Sequence, residues 1–114
     1  MLRYVYKAVT VSPYARRQGV AKYLMDYLEE VSEKIHDAYY VDLFVRPSNE
    51  IALKMYNRLG YFVYQVVDKY YSGSGGMNKG EDAYDMRKSL RRDPQGDLSK
   101  PTGKTIKPNE LEFH

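Results

Sequence analysis

Apolar residues at Val20, Ala21, Leu24, Leu28, Val31 and Ile35 recur at intervals of three and four, which sets one helical face, and β-type runs stand on both sides of it. Ahead of it, residues 3 to 11 are rich in β-branched and aromatic side chains and end at Pro13. After it, Tyr39 to Arg46 places Val41, Leu43 and Val45 on one side of a strand and Asp42 and Arg46 on the other, and Pro47 closes the run. Ser48 or Asn49 is placed to cap a second helix with an apolar face of Ile51, Ala52, Met55, Tyr56 and Leu59, and Gly60 suits a left-handed stop. Tyr61 to Tyr71 resumes β chemistry, Ser72 to Gly76 reads as a glycine-serine loop, and Ala83 to Leu90 suits an antiparallel partner. The order is strand, helix, strand, helix, strand, strand, an α/β chain with two helices.

At 114 residues and 43% hydrophobic content the chain supports one small core, and a second catalytic domain is excluded. The absence of cysteine excludes disulfides, thiolate metal sites and an acyl-cysteine intermediate. A formal net charge of +3, with no dense basic stripe, argues against nucleic acid as the partner. No apolar run reaches the length needed to span a bilayer as a helix, and Met1-Leu2-Arg3-Tyr4 does not open a secretory signal, so a cytoplasmic location is expected. Thirteen tyrosines against three phenylalanines and no tryptophan suit a cleft lining or a partner surface, since each tyrosine joins apolar area to a hydrogen-bonding tip. From Asp93 the composition shifts to proline, glycine and lysine, and residues 93–114 are expected to form a flexible tail after a domain of residues 1–92.

The turn Arg16-Arg17-Gln18-Gly19-Val20-Ala21 stands where strand gives way to helix. Unpaired amide groups and the positive end of a helix dipole meet there, Gly19 and Ala21 admit close approach, and Arg16 and Arg17 add charge, so the segment suits a phosphate-bearing ligand. Small residues also open helices merely to let them pack. A second segment follows, running from Asn49 through Ala52 and Tyr56 to Gly60 and Tyr61. The pair R-x-x-G-x-A and N-x-x-A-x-x-x-Y-x-x-x-G-Y resembles the acetyl-coenzyme A site of the GNAT superfamily of N-acetyltransferases. Val41-Asp42-Leu43-Phe44-Val45-Arg46, Tyr70-Tyr71-Ser72 and Glu81-Asp82-Ala83-Tyr84-Asp85-Met86-Arg87-Lys88 extend the resemblance to the catalytic subunits of N-terminal acetyltransferase B, from about Val9 to Asp93.

That resemblance implies a GNAT-like mixed sheet without the family's usual leading strands and helices. It implies acetyl-coenzyme A (acetyl-CoA) as cofactor, held by backbone groups of Val9 and Val11, by Arg16, Arg17, Gln18, Gly19, Val20 and Ala21, and by Asn49. It casts Tyr56 as the acid for the departing sulfur, and Tyr70, Tyr71 and Tyr84 as the peptide cleft, with Tyr71 relaying the amine proton. On the residues alone, Asn49 reads first as a helix cap, Tyr56 as a core aromatic, and isolated strand tyrosines as structural. His36 reads as a helix-end residue. An α-amine with pKa about 7.7 to 8.0 has roughly a tenth of its population neutral at pH 7, so it needs only a weak base, whereas a lysine near 10.4 needs a stronger one. The family's substrates are protein N-termini of the Met-Asp, Met-Glu, Met-Asn or Met-Gln type, and its partners a helical-repeat auxiliary subunit and the ribosome. Where the family carries a His-Val-Thr run in the peptide cleft, this chain reads Val5-Tyr6-Lys7. The open edge of the first strand is expected either to pair with a second copy or to leave a truncated chain of poor stability. Other GNAT chemistry on lysine or a small amine, and a fragment that binds coenzyme A or a partner without turnover, stand as alternatives.

Overall fold

The computed structural model describes residues 5–7, 18–71 and 80–111. Its elements are β1 (Val5–Lys7), α1 (Gln18–Lys34), β2 (Tyr40–Val45), α2 (Glu50–Arg58), β3 (Phe62–Tyr71), β4 (Glu81–Ser89) and β5 (Thr105–Ile106). The strands form one mixed sheet in the order β1-β2-β4-β3-β5. β1 runs parallel to β2, with Tyr6 opposite Val41, and β4 lies antiparallel to β2, with Tyr84 opposite Val45. β3 and β4 form an antiparallel hairpin that is irregular between Val63 and Gln65 and between Val67 and Tyr71. The α/β architecture and the antiparallel return of the last long strand agree with the pattern in the sequence.

Alternation along β2 sends Val41, Leu43 and Val45 to one face, where they join Met86 of β4 in a single buried cluster with Ala21 and Met25 of α1 and Met55 and Tyr56 of α2. Both helices therefore cover the same face. The buried side of α1 is Ala21, Met25, Leu28 and Ser32, one position on from the expected stripe at several points. Val20 and Leu24 are both 53% exposed and Ile35 is 71% exposed. Ser32 explains part of the rotation: its small side chain lets the helix approach the sheet, and its hydroxyl donates to the Leu28 carbonyl at 2.7 Å instead of needing water. On α2 the apolar Ile51 is likewise exposed, whereas Met55 and Tyr56 are buried.

The opposite face carries an unusual polar cluster. Asp42 of β2 stands across from Arg87 of β4, both side chains largely buried, with Arg87 Nε 3.4 Å from Asp42 Oδ1. That ion pair falls short of hydrogen-bond geometry, and neither atom has a hydrogen-bond partner among the described residues. The Arg87 guanidinium lies between the rings of Tyr40 and Tyr64, 4.1 and 3.6 Å from their centroids. Asp85 is 1% exposed and accepts from Gln65 Nε2 at 2.9 Å. Burial pushes the Asp42 carboxyl up to about 9, the neighbouring Asp85 adds to the rise, and Arg87 opposes it.

The segment after Asp93, where composition suggested a tail, is instead laid along the sheet as far as Leu111. Asp93 is buried and gathers it: its carboxylate accepts from the amides of Asp97 and Leu98 and from the Ser89 hydroxyl, at 3.1, 2.9 and 2.7 Å. The Leu98 carbonyl then accepts from Arg87 at 2.7 Å, and β5 pairs parallel with β3. Backbone and carboxylate bonds replace the apolar contacts that the segment lacks.

Candidate functional site

Strands β1, β2 and β3 point the same way, so their carboxyl ends lie along one border of the sheet. Both helices begin at that border, each following a strand, and open parallel strands present ligand crevices at such an end. A cleft of about 50 Å³ opens there, lined by Phe44, Val45 and Arg46 at the end of β2, Asn49, Ala52 and Tyr56 on α2, and Tyr71 at the end of β3.

Asn49 is the N-cap of α2, its side-chain oxygen accepting from the Ala52 amide at 3.1 Å. The structural role weighed for it is thus real, and its place in the cleft wall comes with that role. Tyr56, 3% exposed, is held at the other end of the helix. Gly60 takes a φ of 95°, its amide bonds to the Asn57 carbonyl at 3.1 Å, and the Tyr61 amide bonds to the Tyr56 carbonyl at 2.9 Å. This is a Schellman stop, whose customary side-chain contact is made by the rings of Tyr56 and Tyr61, edge-on with centroids 5.9 Å apart. Tyr61 is fully buried and donates to Glu29 of α1 at 2.8 Å, and Glu29 pairs with Lys88 of β4 at 2.8 Å. Burial and then the Glu29 carboxylate drive the Tyr61 phenol far above its ordinary value, so it stays protonated and fixed.

At the cleft mouth the Tyr71 ring lies beneath the Arg46 guanidinium, 4.0 Å from its centroid. Tyr70 meets the Tyr71 ring at 5.1 Å and that of Phe44 at 4.7 Å, both edge-on. Burial raises the Tyr71 phenol, and the Arg46 charge opposes the rise. Tyr84 stands apart from these two: it lies in mid-strand opposite Val45 and Val66 and packs on the helix-covered core, outside the lining of the cleft.

Gln18, Gly19, Val20 and Ala21 form the first turn of α1, which carries no acidic side chain. Among the described residues, a Cβ built on Gly19 meets nothing within 4 Å, so they leave the turn open to an approaching group, while Ala21 is buried in the core. A helix start without carboxylates, open at Gly19, at the same border as the cleft fits the phosphates and the pantetheine arm of acetyl-CoA. Val9, Val11, Arg16, Arg17 and the glycine-serine loop lie outside the described residues. Arg46, Phe44, Tyr61 and Glu29 carry no site role in the reading of the sequence; Arg46 had a local signal, a charged residue ending an apolar strand just before proline.

The pattern of the acetyltransferase (GNAT) family matches residues 3–61, just over half of the 114. The chain belongs to this family. Among curated GNAT relatives, it is 53% identical over 106 residues to the N-terminal acetyltransferase B complex catalytic subunit NAA20 of Arabidopsis thaliana, covering 93% of this chain and 58% of that protein. It is 49% identical over 106 residues to the N-alpha-acetyltransferase 20 of Dictyostelium discoideum, again covering 93% and 58%. The crystal structure of Chaetomium thermophilum Naa20 in complex with a bisubstrate analogue superposes with a TM-score of 0.80 and 38% identity, over 96% of this chain and 59% of that one. The NatB acetyltransferase complex bound to a bisubstrate inhibitor gives 0.72 and 32%, over 97% and 61%. The chain thus spans about three fifths of the length of these relatives.

Proposed function

We propose that this GNAT chain is the catalytic subunit of an N-terminal acetyltransferase of the B type, moving acetyl from acetyl-CoA to the α-amine of proteins that begin Met-Asp, Met-Glu, Met-Asn or Met-Gln. The observation that carries the reading is the convergence of Asn49, Tyr56 and Tyr71 on one cleft at the sheet border where both helices begin. Identity of 53% to a subunit of that name supports it over a lysine or small-amine acetyltransferase.

Gln18, Gly19, Val20 and Ala21 would hold the phosphates through the first turn of α1, with Arg16, Arg17 and the backbone of Val9 and Val11, and Asn49 would meet the pantetheine arm. Acetyl-CoA supplies an activated thioester, whose acetyl group goes to an amine while its sulfur leaves as a thiol. Tyr56, buried and locked edge-on against Tyr61, is placed to give that sulfur its proton. Tyr71, at the mouth, passes on the proton that the amine releases, with Tyr70 beside it to assist the peptide. A neutral α-amine needs no strong base, which suits a cleft whose titratable lining is phenolic and guanidinium.

The partners in this reading are an auxiliary helical-repeat subunit, the ribosome and the nascent peptide, in the cytoplasm. β1, one of the two edge strands among the described residues, is the edge at which a second copy would pair. Calorimetric titration of the purified chain with acetyl-CoA, followed by acetylation of a Met-Asp peptide, tests the proposal. Binding with turnover supports it, binding without turnover leaves a cofactor half-site, and no binding refutes the site assignment.

A further inference from the structure

We propose that Arg46, anchored by Glu81, is the positioning residue that fixes Tyr71 at the mouth of the cleft, a guanidinium that transfers no proton itself but sets where the relaying phenol stands. The inference rests on the reading of Tyr71 as a proton relay, and it is carried by contacts that reading does not use.

Arg46 follows directly on β2 and precedes Pro47, so its backbone is confined by the strand on one side and by the proline on the other. Its guanidinium covers the Tyr71 ring at 4.0 Å, within cation-π range. The same group reaches Glu81 Oε2 at 3.3 Å, and Glu81 Oε1 accepts from the Ser48 amide at 2.9 Å. Glu81 opens β4 and is the register partner of Tyr71 across the hairpin. A carboxylate opposite Tyr71, an arginine over its ring and the backbone of the turn before α2 therefore close a ring of contacts around one phenol. Ser48 is the first cause holding the Glu81 carboxyl below its ordinary range, with Arg46 adding to it, so the anchor is ionised when the cleft is at neutral pH.

The pairing also has a chemical effect on the relay. The charged and titratable groups facing Tyr71 are Arg46 after β2, Glu81 on β4 and Tyr70 on β3. Among the described residues only Arg46 favours the phenolate, working against burial, Tyr70 and Glu81. Lysine would not replace it, because a flexible ammonium neither stacks flat on a ring nor forks between ring and carboxylate. The Arg46 side chain is 43% exposed, so the arrangement is rigid through its anchors and not through burial.

The test is a tyrosine-selective carbon-13 NMR titration of the 114-residue chain, with the Tyr71 signal assigned by its loss in Tyr71→Phe. Arg46→Met should displace the Tyr71 resonance and raise its titration midpoint. Glu81→Gln, which loosens Arg46, should also displace the resonance, less strongly, and Arg46→Lys should leave the resonance displaced although the charge is kept. In acetyl transfer from acetyl-CoA to a Met-Asp peptide, Arg46→Met should lower kcat about tenfold with KM for acetyl-CoA unchanged, and should move the alkaline limb of the rate profile upward. An unmoved Tyr71 resonance and midpoint in Arg46→Met overturns the inference. A displaced resonance with wild-type kcat keeps Arg46 as the residue that holds Tyr71 and overturns the relay reading instead. If Arg46→Met does not fold, Arg46→Lys and Glu81→Gln carry the same measurement, and wild-type spectra in both overturn it.

Discussion

Replacing Asp42 with asparagine should make the protein more stable in neutral and mildly alkaline solution, with the gain shrinking as pH falls towards the unfolded carboxylate range at about 4. On the sheet face away from the helices, two buried carboxyls share the neighbourhood of one guanidinium, and Asp42 is pushed up to about 9, first by burial and then by Asp85. One proton on this pair leaves a neutral cluster with Arg87. A raised pKa means that the folded state keeps a proton that the unfolded chain has already lost. The resulting stability is complete below the unfolded carboxylate range and is lost as pH climbs towards 9. Across pH 6 to 8 one retained proton corresponds to about 1.4 kcal/mol per pH unit, so folding stability should fall by about 2 to 3 kcal/mol over that span. Asparagine is a neutral near-isostere of the protonated acid, and its folded state takes up no proton. Urea unfolding of both proteins at pH 6, 7 and 8 reads the difference directly, with a melting-temperature gap between them that widens by about 10 °C from pH 6 to pH 8 as a second readout. Equal slopes of stability against pH in the two proteins would refute the reasoning, and so would an Asp42→Asn protein less stable than wild type at pH 8.

Gly19→Asp should abolish acetyl-CoA binding in a titration without unfolding the protein, since a new carboxylate would meet the phosphates at a position where the structure has room for it. Tyr56→Phe should lower kcat for peptide acetylation while acetyl-CoA binding is spared, and equal turnover would remove Tyr56 from the chemistry. Asn49→Ala should cost about 1 kcal/mol in unfolding experiments through the lost cap, whereas Asn49→Asp should retain the stability; weak acetyl-CoA binding by both would separate the ligand role from the capping role. Tyr61→Phe should destabilise by about 1.5 to 3 kcal/mol, because it removes the buried hydroxyl that donates to the Glu29 carboxylate, and a melting curve indistinguishable from wild type would contradict that bond.

The strand and helix order was legible because each element carries its own period or stop: Pro47 and Gly60 punctuate the described chain, and Gly60 does adopt the left-handed conformation that its place suggested. The facing of α1 was not. Val20, Leu24 and Ile35 satisfy the helical interval as well as Met25 and Ser32 do, and only the fit against β2 and β4 decides which set turns inward. The packing of residues 93 to 111 was hidden for another reason: one buried carboxylate, Asp93, organises the turn, and a composition average does not register a single side chain. Within the site, Asn49, Tyr56 and Tyr71 converge, whereas Tyr84 joins the core, a distinction that depends on strand register. The contribution of Arg46 depends on Glu81, thirty-five positions away, a distance over which local patterns say nothing.

The two closures of α2 have a mechanical consequence. With a side-chain cap at Asn49 and a Schellman stop at Gly60, the helix cannot lengthen, fray or slip without giving up one of its terminal bonds. It behaves as a gauge block of nine residues, about 13 Å long, that meters the gap between the two cleft residues at its ends. An added or missing residue between Asn49 and Tyr56 would swing the tyrosine about 100° around the helix axis relative to the asparagine. Length here, as much as residue identity, is the quantity that cannot drift.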